Sequence, residues 1–138
     1  MGKFQDQVAV ITGAGQGAGK KLATRFYEEG AIVCLLDLNG KNLASVVEEV
    51  KPDEDRFVTY TADVSNSSQV TAVMEDIGRR FGKIDILINN AGVLHKGMIE
   101  TSSDDHIQLM IGVNLMGPMY CTRAAVPYMK EKEETLSM

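Results

Sequence analysis

The stretch VAVITGAGQGAGKKLATRF, residues 8–26, decides the fold of this chain. Residues 8–11 form a continuous apolar and mostly β-branched run, as a buried parallel strand requires. Four glycines follow among small and polar residues, and the next segment places Leu22, Ala23 and Phe26 on one helical face. The stretch therefore predicts a strand, a tight glycine-rich turn and a helix.

The same alternation continues along the chain. A second apolar run at residues 31–36 predicts another strand, and residues 57–61 and 84–88 complete a set of four, with amphipathic helical patterns between them. A longer helical pattern runs from residue 104 to about residue 132, interrupted by two glycines and a proline. Strands that alternate with helices of this length indicate right-handed crossovers, so we expect an α/β fold with a doubly wound parallel sheet. Residues 1–138 are expected to form a single domain.

Composition and charge exclude several classes of function. The 138 residues carry 14 Lys and Arg against 19 Asp and Glu, for a net charge of −5, without a basic cluster. The chain is therefore not expected to bind nucleic acid or an anionic membrane. It has no apolar run of 18 or more residues and no apolar signal core near its start. Two distant cysteines without Cys-x-x-Cys spacing are expected to be reduced thiols of a cytoplasmic chain.

The glycine-rich turn matches a phosphate-binding pattern. Gly13, Gly15 and the small residue Ala18 satisfy the G-x-G-x-x-G/A fingerprint, and the motif follows a predicted strand and opens a predicted helix. Glycines let the main chain turn tightly and let a pyrophosphate approach it, while the helix offers free amides and the positive end of its dipole. The turn predicts a dinucleotide site; the alternative is a tight turn that binds nothing.

Asp37 stands at the end of the second predicted strand, 18 residues after Gly19. This is close to the spacing at which a carboxylate meets the adenosine ribose hydroxyls, and a carboxylate there repels a 2′-phosphate. No arginine follows in LNGK, and Gln16 in the turn is neutral. NAD is therefore favoured over NADP, a preference that Lys41 would soften. The alternative is a loop carboxylate without a ligand.

Three further motifs follow the predicted strands in order. They are DV at residues 63–64, NNAG at residues 89–92 and NLMG at residues 114–117. Together with TGAGQGAG at residues 12–19, this set resembles the short-chain dehydrogenases/reductases of the classical type, over about residues 4–129. The ordered combination is more specific than any one of its motifs.

The resemblance implies a Rossmann-type sheet of strand order 3-2-1-4 and a set of cofactor contacts. These contacts are Gly13, Gln16, Gly17, Ala18 and Gly19 around the pyrophosphate, Asp37 and Leu38 at the adenosine ribose, Asp63 and Val64 at the adenine ring, and Asn90, Ala91 and Gly92 between adenosine and nicotinamide. Asn114 matches the family's active-site asparagine, whose main-chain carbonyl orders a water in a proton relay. Ala18 departs from the family, which usually has isoleucine or leucine there.

Pro118 stands four residues after Asn114 and has no amide to donate to its carbonyl. We expect that carbonyl to be left free and the helix to be bent at this point, so that Pro118→Ala would straighten it. The alternative is a tolerated kink without a functional link.

The resemblance also implies chemistry that residues 1–138 do not contain. In the family a serine and a Tyr-x-x-x-Lys pair act as acid–base groups, beyond a fifth and sixth strand. Tyr128 and Lys132 match that spacing, but Tyr128 follows Asn114 by only 14 residues in the same predicted helix, so we do not expect it to be catalytic. The fold is expected to be truncated after this helix, which leaves the apolar fourth strand as an edge.

Three interpretations remain open at this point. The chain is the cofactor-binding half of an NAD-dependent alcohol or carbonyl oxidoreductase, inactive alone; or a non-catalytic NAD-binding or assembly module completed by a partner chain; or a truncated gene product or proteolytic fragment. The family's habit implies a homo-oligomer, either a dimer or a tetramer. His95 is a candidate substrate contact, and since His95 and His106 have no convincing third ligand, no metal site is expected.

Overall fold

The structure, a computed structural model, describes residues 2–93 and 99–129. Its centre is a four-stranded parallel sheet with the order β3-β2-β1-β4. The strands are β1 (Val8–Thr12), β2 (Ile32–Asp37), β3 (Phe57–Thr61) and β4 (Ile86–Ile88). The parallel arrangement and the 3-2-1-4 order confirm the predicted Rossmann-type sheet.

Helices connect the strands as the periodicity predicted. They are α1 (Gly17–Glu28), α2 (Gly40–Val50), α3 (Ser67–Phe81), α4 (Asp104–Ile111) and α5 (Gly117–Met129). The helical pattern predicted from residue 104 holds to residue 129, but a π-helical turn, Gly112–Met116, separates α4 from α5. The predicted end of this pattern, at residues 130–132, lies outside the described residues.

Side chains at the helix starts explain where three of the helices begin. Asn39, Asn66 and Ser103 precede α2, α3 and α4, and each accepts a hydrogen bond from the amide three residues later. Such caps satisfy amides that have no partner inside the helix. Ser103 is the last of three consecutive hydroxyl residues, 101–103, that precede α4 in the sequence.

Two apolar layers lie on opposite faces of the sheet because side chains alternate along each strand. Val8 and Val10 of β1 belong to the core under α3 and α5, whereas Ala9 and Ile11 belong to the core under α1 and α2. All five residues of β1 are buried. Helices therefore cover both faces, which confirms the doubly wound arrangement.

Both cysteines are buried free thiols in the α3–α5 layer. Burial raises the pKa of Cys34 to about 12 and that of Cys121 to about 11, because an apolar environment disfavours the thiolate. In the part of the chain that the structure describes, no helix is long and apolar enough to cross a membrane.

The fourth strand is shorter than predicted and lies at the edge of the described sheet. It pairs with β1 along one side. Ile84, which the sequence placed in the strand, is buried, and its amide donates to the carbonyl of Tyr128 in α5 at 3.1 Å. The Asp85 carboxylate accepts from the amide of Val8 at 2.8 Å, so this segment joins the start of β1 rather than extending the strand.

Candidate functional site

The carboxyl ends of the strands open into one cleft of about 1150 Å³. Parallel strands place their following loops at the same edge of the sheet, which is where such folds bind ligands. The cleft is lined by Gly13, Gln16, Gly17, Ala18, Asp37, Leu38, Asn39, Gly40, Lys41, Asn42, Ala62, Asp63, Val64, Asn90, Ala91, Gly92, Val93, Leu109 and Val113. Eleven of the twelve residues predicted to contact a cofactor are in this lining. The twelfth, Gly19, is buried beside it.

The glycines of the loop after β1 serve different physical needs. Gly13 and Gly17 have φ angles of 63° and 58°, a region that glycine adopts at little cost. A Cβ atom on Gly13 would also lie 2.8 Å from the Cα of Ala91, and one on Gly19 would overlap the carbonyl oxygen of Gly13. The loop can therefore pass close to the segment after β4.

Helix α1 begins at this loop without a side-chain cap. Gln16 occupies the capping position, but its side chain makes no capping hydrogen bond, and no acidic residue lies in the first turn. By contrast, α2, α3 and α4 are each capped by a side chain. The first-turn residues Gly17 and Ala18 line the cleft, so the amides and the positive dipole end of α1 face a space that suits an anion.

Asp37, the last residue of β2, is held by main-chain amides on two sides. Its Oδ2 atom accepts from the amide of Gly15 at 2.8 Å, and its Oδ1 atom accepts from the amide of Asn39 at 2.8 Å. Each carboxylate oxygen keeps capacity for a second hydrogen bond. The next residue, Leu38, is 70% exposed along the same wall of the cleft.

Thr12 is a residue of the site that the sequence analysis did not single out. Its side chain is 1% exposed, and its hydroxyl oxygen accepts from the amides of Asn90 and Ala91 at 3.0 and 2.9 Å. The side-chain amide of Asn90 donates to the carbonyl of Gly13 at 3.2 Å. These bonds join the loop after β1 to the loop after β4. The sequence shows a threonine before the first glycine, but it does not show the hydrogen-bond partners, which lie far along the chain.

Asn114 lies in the π-helical turn and does not line the cleft. Its side-chain amide donates to the carbonyl of Val93 at 2.8 Å, and its Oδ1 atom accepts from the amide of Val93 at 2.8 Å. Asn114 therefore holds the main chain just beyond Gly92. The π turn ends two residues before Pro118, and in it the amide of Gly117 donates to the carbonyl of Gly112. That Pro118 leaves the Asn114 carbonyl free and bends the helix stays a prediction.

Asp63 and Val64 form the end of the cleft beyond β3. The Oδ1 atom of Asp63 accepts from the amide and the hydroxyl of Ser65, at 2.9 and 2.6 Å, while the Asp63 amide donates to Gln69 at 2.8 Å. Val64 is buried, and a Cβ atom on Gly117 would lie 2.8 Å from its Cγ2 atom. The turn into α3 is thus packed closely against the start of α5.

Tyr128 lies far from the cleft. Its ring packs on Gly78 of α3, where a Cβ atom would come within 2.6 Å of the Tyr128 Cδ1 atom. Its carbonyl accepts from Ile84, which precedes β4, whereas the cleft begins at Asn90 after β4. Six residues of extended chain span on the order of 20 Å. Lys132, which completes the Tyr-x-x-x-Lys match, and the candidate contact His95 fall outside the described residues.

No group of three or more His, Cys, Asp or Glu within residues 2–93 and 99–129 is placed to hold a metal ion.

A parallel sheet of this order, with a glycine-rich turn at the start of α1 and a carboxylate at the end of β2, defines a Rossmann-type nucleotide-binding fold. The sequence profile described as short chain dehydrogenase matches residues 7–135, and the chain belongs to that family.

Curated relatives from several bacteria are similar over nearly the whole chain. The (2S)-((R)-hydroxy(phenyl)methyl)succinyl-CoA dehydrogenase subunit BbsD of Thauera aromatica is 36% identical over 130 residues, which are 94% of this chain and 52% of that protein. The 3β-hydroxysteroid dehydrogenase 2 of Eggerthella lenta is 37% identical, over 93% of this chain and 50% of that protein. The chain therefore spans about half the length of these relatives.

Solved structures of the family agree with the fold. A short chain dehydrogenase/reductase from Burkholderia phymatum in complex with NAD matches with a TM-score of 0.86 and 36% identity, over 94% of this chain and 46% of that one. The 3-ketoacyl-(acyl-carrier-protein) reductase of Brucella melitensis, complexed with NADH, has a TM-score of 0.87 and 35% identity, over 96% and 54%. A metagenomic short-chain oxidoreductase in complex with NADP has a TM-score of 0.84 and 31% identity, over 91% and 57%. The family thus binds nicotinamide cofactors of both kinds.

Proposed function

We propose that this chain binds NAD(H) in the cleft at the carboxyl ends of its strands, as one nucleotide-binding domain within residues 1–138. We propose further that the whole protein is an NAD-dependent oxidoreductase of an alcohol or carbonyl compound. The observation that carries the proposal is the position of the Asp37 carboxylate, held by two amides in the same cleft as the uncapped start of α1.

The described residues fit the parts of the cofactor in order along the cleft. The first-turn amides of α1, at Gly17 and Ala18, suit the pyrophosphate, because unpaired amides and the helix dipole favour an anion. The carboxylate of Asp37 has acceptor capacity for the two ribose hydroxyls. The turn at Asp63 and Val64 would border the adenine ring, and residues 90–92 would follow the cofactor toward its nicotinamide.

The charge of the cleft favours NAD over NADP. A carboxylate at residue 37 repels a 2′-phosphate. Among the described residues that line the cleft, Lys41 is the one basic side chain, and it lies four residues beyond Asp37. The NADP-bound relative shows that the family includes both preferences, so the preference of this chain depends on these side chains.

The chemistry of the whole protein also needs groups that act on a proton. When bound, the nicotinamide supplies a hydride donor or acceptor. Asn114 would contribute through its main-chain carbonyl, by ordering a water, while its side chain stays bound to Val93. Tyr128 packs at the opposite end of β4, so it does not fit the role of a proton donor. Turnover by residues 1–138 alone is not expected.

The test is a titration of the purified chain with NADH, followed by NADH fluorescence. We expect saturable binding, weaker by about ten- to a hundredfold in Asp37→Asn, because a hydrogen bond to a charged group is worth about 1.5–3 kcal/mol. Glu75→Gln is the matched control, since Glu75 carries an exposed carboxylate on α3 outside the cleft. Absence of a saturable signal at millimolar cofactor would contradict the proposal, as would turnover comparable with that of a complete enzyme.

A second candidate is a non-catalytic module that binds NAD and is completed by a partner chain. Leu109, Leu115 and Met119, on the segment from α4 to α5, are 51%, 55% and 63% exposed, and β4 is an edge strand in the described sheet. Exposed apolar side chains grouped in this way are typical of an interface. For either candidate function we propose a homo-oligomer, either a dimer or a tetramer. We also propose a cytoplasmic location, because thiols such as the two buried free cysteines stay reduced there.

Light scattering after size exclusion tests this assembly. Leu115→Glu with Met119→Glu should lower the mass of the assembly, because it places charge on the exposed apolar surface. Leu22→Glu is the control, since Leu22 is 37% exposed on α1. A monomeric parent chain would contradict the homo-oligomer.

A further inference from the structure

Gly15 differs from its neighbouring glycines in the reason why it is a glycine. Gly13 and Gly17 have positive φ angles, whereas Gly15 is not among the residues of positive φ. Its backbone conformation is therefore open to any residue. Gly15 also does not line the cleft. The reason for a glycine at residue 15 is therefore the lack of space for a side chain.

That space is occupied by Asp37. A Cβ atom on Gly15 would lie 2.8 Å from the Oδ2 atom of Asp37 and 2.9 Å from its Cγ atom. It would also lie 2.9 Å from the Cβ atom of Asn42 in α2. These separations are shorter than the 3.5–4.0 Å at which nonbonded carbon atoms attract, so a side chain at residue 15 would push the carboxylate away.

The same glycine also binds the carboxylate directly. Its amide donates to the Oδ2 atom of Asp37 at 2.8 Å, and the amide of Asn39 donates to the Oδ1 atom. A carboxylate that is already oriented loses little further freedom when a ligand hydroxyl binds it. Gly15 thus provides both the room for Asp37 and one of the two hydrogen bonds that orient it.

We propose that Gly15 is a positioning residue for cofactor preference. The absence of a side chain leaves room for the Asp37 carboxylate, and the Gly15 amide holds that carboxylate where it binds a ribose diol and repels a 2′-phosphate. This inference rests on the proposed function. Gly15→Ala would displace the carboxylate, while the first-turn amides at Gly17 and Ala18 would remain in place for the pyrophosphate. The loss should therefore fall on NAD more than on NADP.

Calorimetric titration with NAD and NADP tests this inference in four chains: the parent, Gly15→Ala, Asp37→Ala and the double variant. The readout is the ratio of the two dissociation constants, which a general weakening of the loop would leave unchanged. We expect Gly15→Ala to lower the preference for NAD about tenfold, or about 1.4 kcal/mol. In the Asp37→Ala background the same change should have no effect on the ratio, because the two residues act as a unit.

Every outcome of this titration either supports or overturns the role of Gly15. An unchanged ratio in Gly15→Ala, an equal drop in both backgrounds, or a parent chain without preference for NAD overturns the role of Gly15 while NAD binding stands. A parent chain that binds neither nucleotide overturns the proposed function as well. If Gly15→Ala does not fold by circular dichroism, recovery of folding in the double variant supports the contact with Asp37. If neither variant folds, the added methyl group clashes with atoms other than those of Asp37, and this overturns the inference.

Discussion

The hydroxyl of Thr12 accepts a hydrogen bond from the amide of Asn90, at 3.0 Å, across 78 residues of sequence. Thr12 ends β1, and Asn90 follows β4. With the second bond, from the amide of Ala91, this contact holds the two central loops of the cleft at a constant spacing. The affinity of the cleft for a nucleotide should therefore depend on a side chain that is buried beneath it.

Thr12→Val removes the acceptor while keeping the shape of the side chain. The two amides would then lose their partner in a partly buried place, which we expect to cost about 1–3 kcal/mol of unfolding free energy. Urea denaturation measures this cost. Thr12→Ser keeps the hydroxyl and is the control, so equal stability of the two variants would show that the hydrogen bonds contribute nothing.

Gly17→Ala and Gly82→Ala form a matched pair. Their φ angles are 58° and 78°, and a Cβ atom at either position would meet nothing within 4 Å. Both substitutions should cost about 1–2 kcal/mol of stability through backbone strain alone. Only Gly17 lines the cleft, whereas Gly82 ends α3. We expect similar losses in thermal stability but weaker NADH binding only in Gly17→Ala. Equal affinities would remove Gly17 from the proposed site.

Asn114→Ala should loosen the segment that follows β4. It removes both hydrogen bonds to Val93 and leaves the main-chain carbonyl of residue 114 in place. Exchange of the Val93 amide, followed by NMR, should speed up about fivefold, since a net hydrogen bond of about 1 kcal/mol protects it. Exchange of the Val10 amide, in the fully buried β1, serves as the internal reference. Unchanged exchange at Val93 would show that the Asn114 side chain does not hold this segment.

Stability should depend on pH through the contact between Tyr60 and Asp76. The Tyr60 hydroxyl donates to the Asp76 carboxylate at 2.6 Å. This bond lowers the pKa of Asp76 below its ordinary 3.8. Burial, and then the same bond, raise the pKa of Tyr60 above its ordinary 10.0.

The two shifts act at opposite ends of the pH range. A lowered carboxyl pKa stabilises the fold above the unfolded value of 3.8, and the contribution is lost as the pH falls below it. A raised phenol pKa stabilises the fold below 10.0, and the contribution is lost as the pH rises beyond it. The stability difference between the parent and Tyr60→Phe, from urea denaturation, should be constant between about pH 5 and 9 and shrink on either side. A difference independent of pH would contradict this assignment.

Much of the secondary structure could be predicted from the sequence. The strand at residues 57–61 matches β3 at both ends, and the apolar run at residues 8–11 misses only Thr12. All five residues of β1 are buried and four of them are apolar, which leaves a clear local pattern. In β3 only Phe57 and Val58 are buried, and its local signal is the set of β-branched and aromatic residues. β4 was predicted two residues too long because Ile84 is as apolar as the strand, and its bond to Tyr128 in α5 has no local signal. The order of the strands followed from the family resemblance rather than from periodicity.

The sequence by itself determined the alternation of strands and helices, the glycines of the turn after β1 and the carboxylate at the end of β2, because each depends on a few neighbouring residues. Only the tertiary structure decided which contacts hold the loops around the cleft in place. The contacts of Gly15 with Asp37, Thr12 with Asn90 and Asn114 with Val93 join residues that are 22, 78 and 21 positions apart. The geometry of these contacts depends on how the crossover connections place the strands side by side in the sheet, which a local sequence pattern does not indicate.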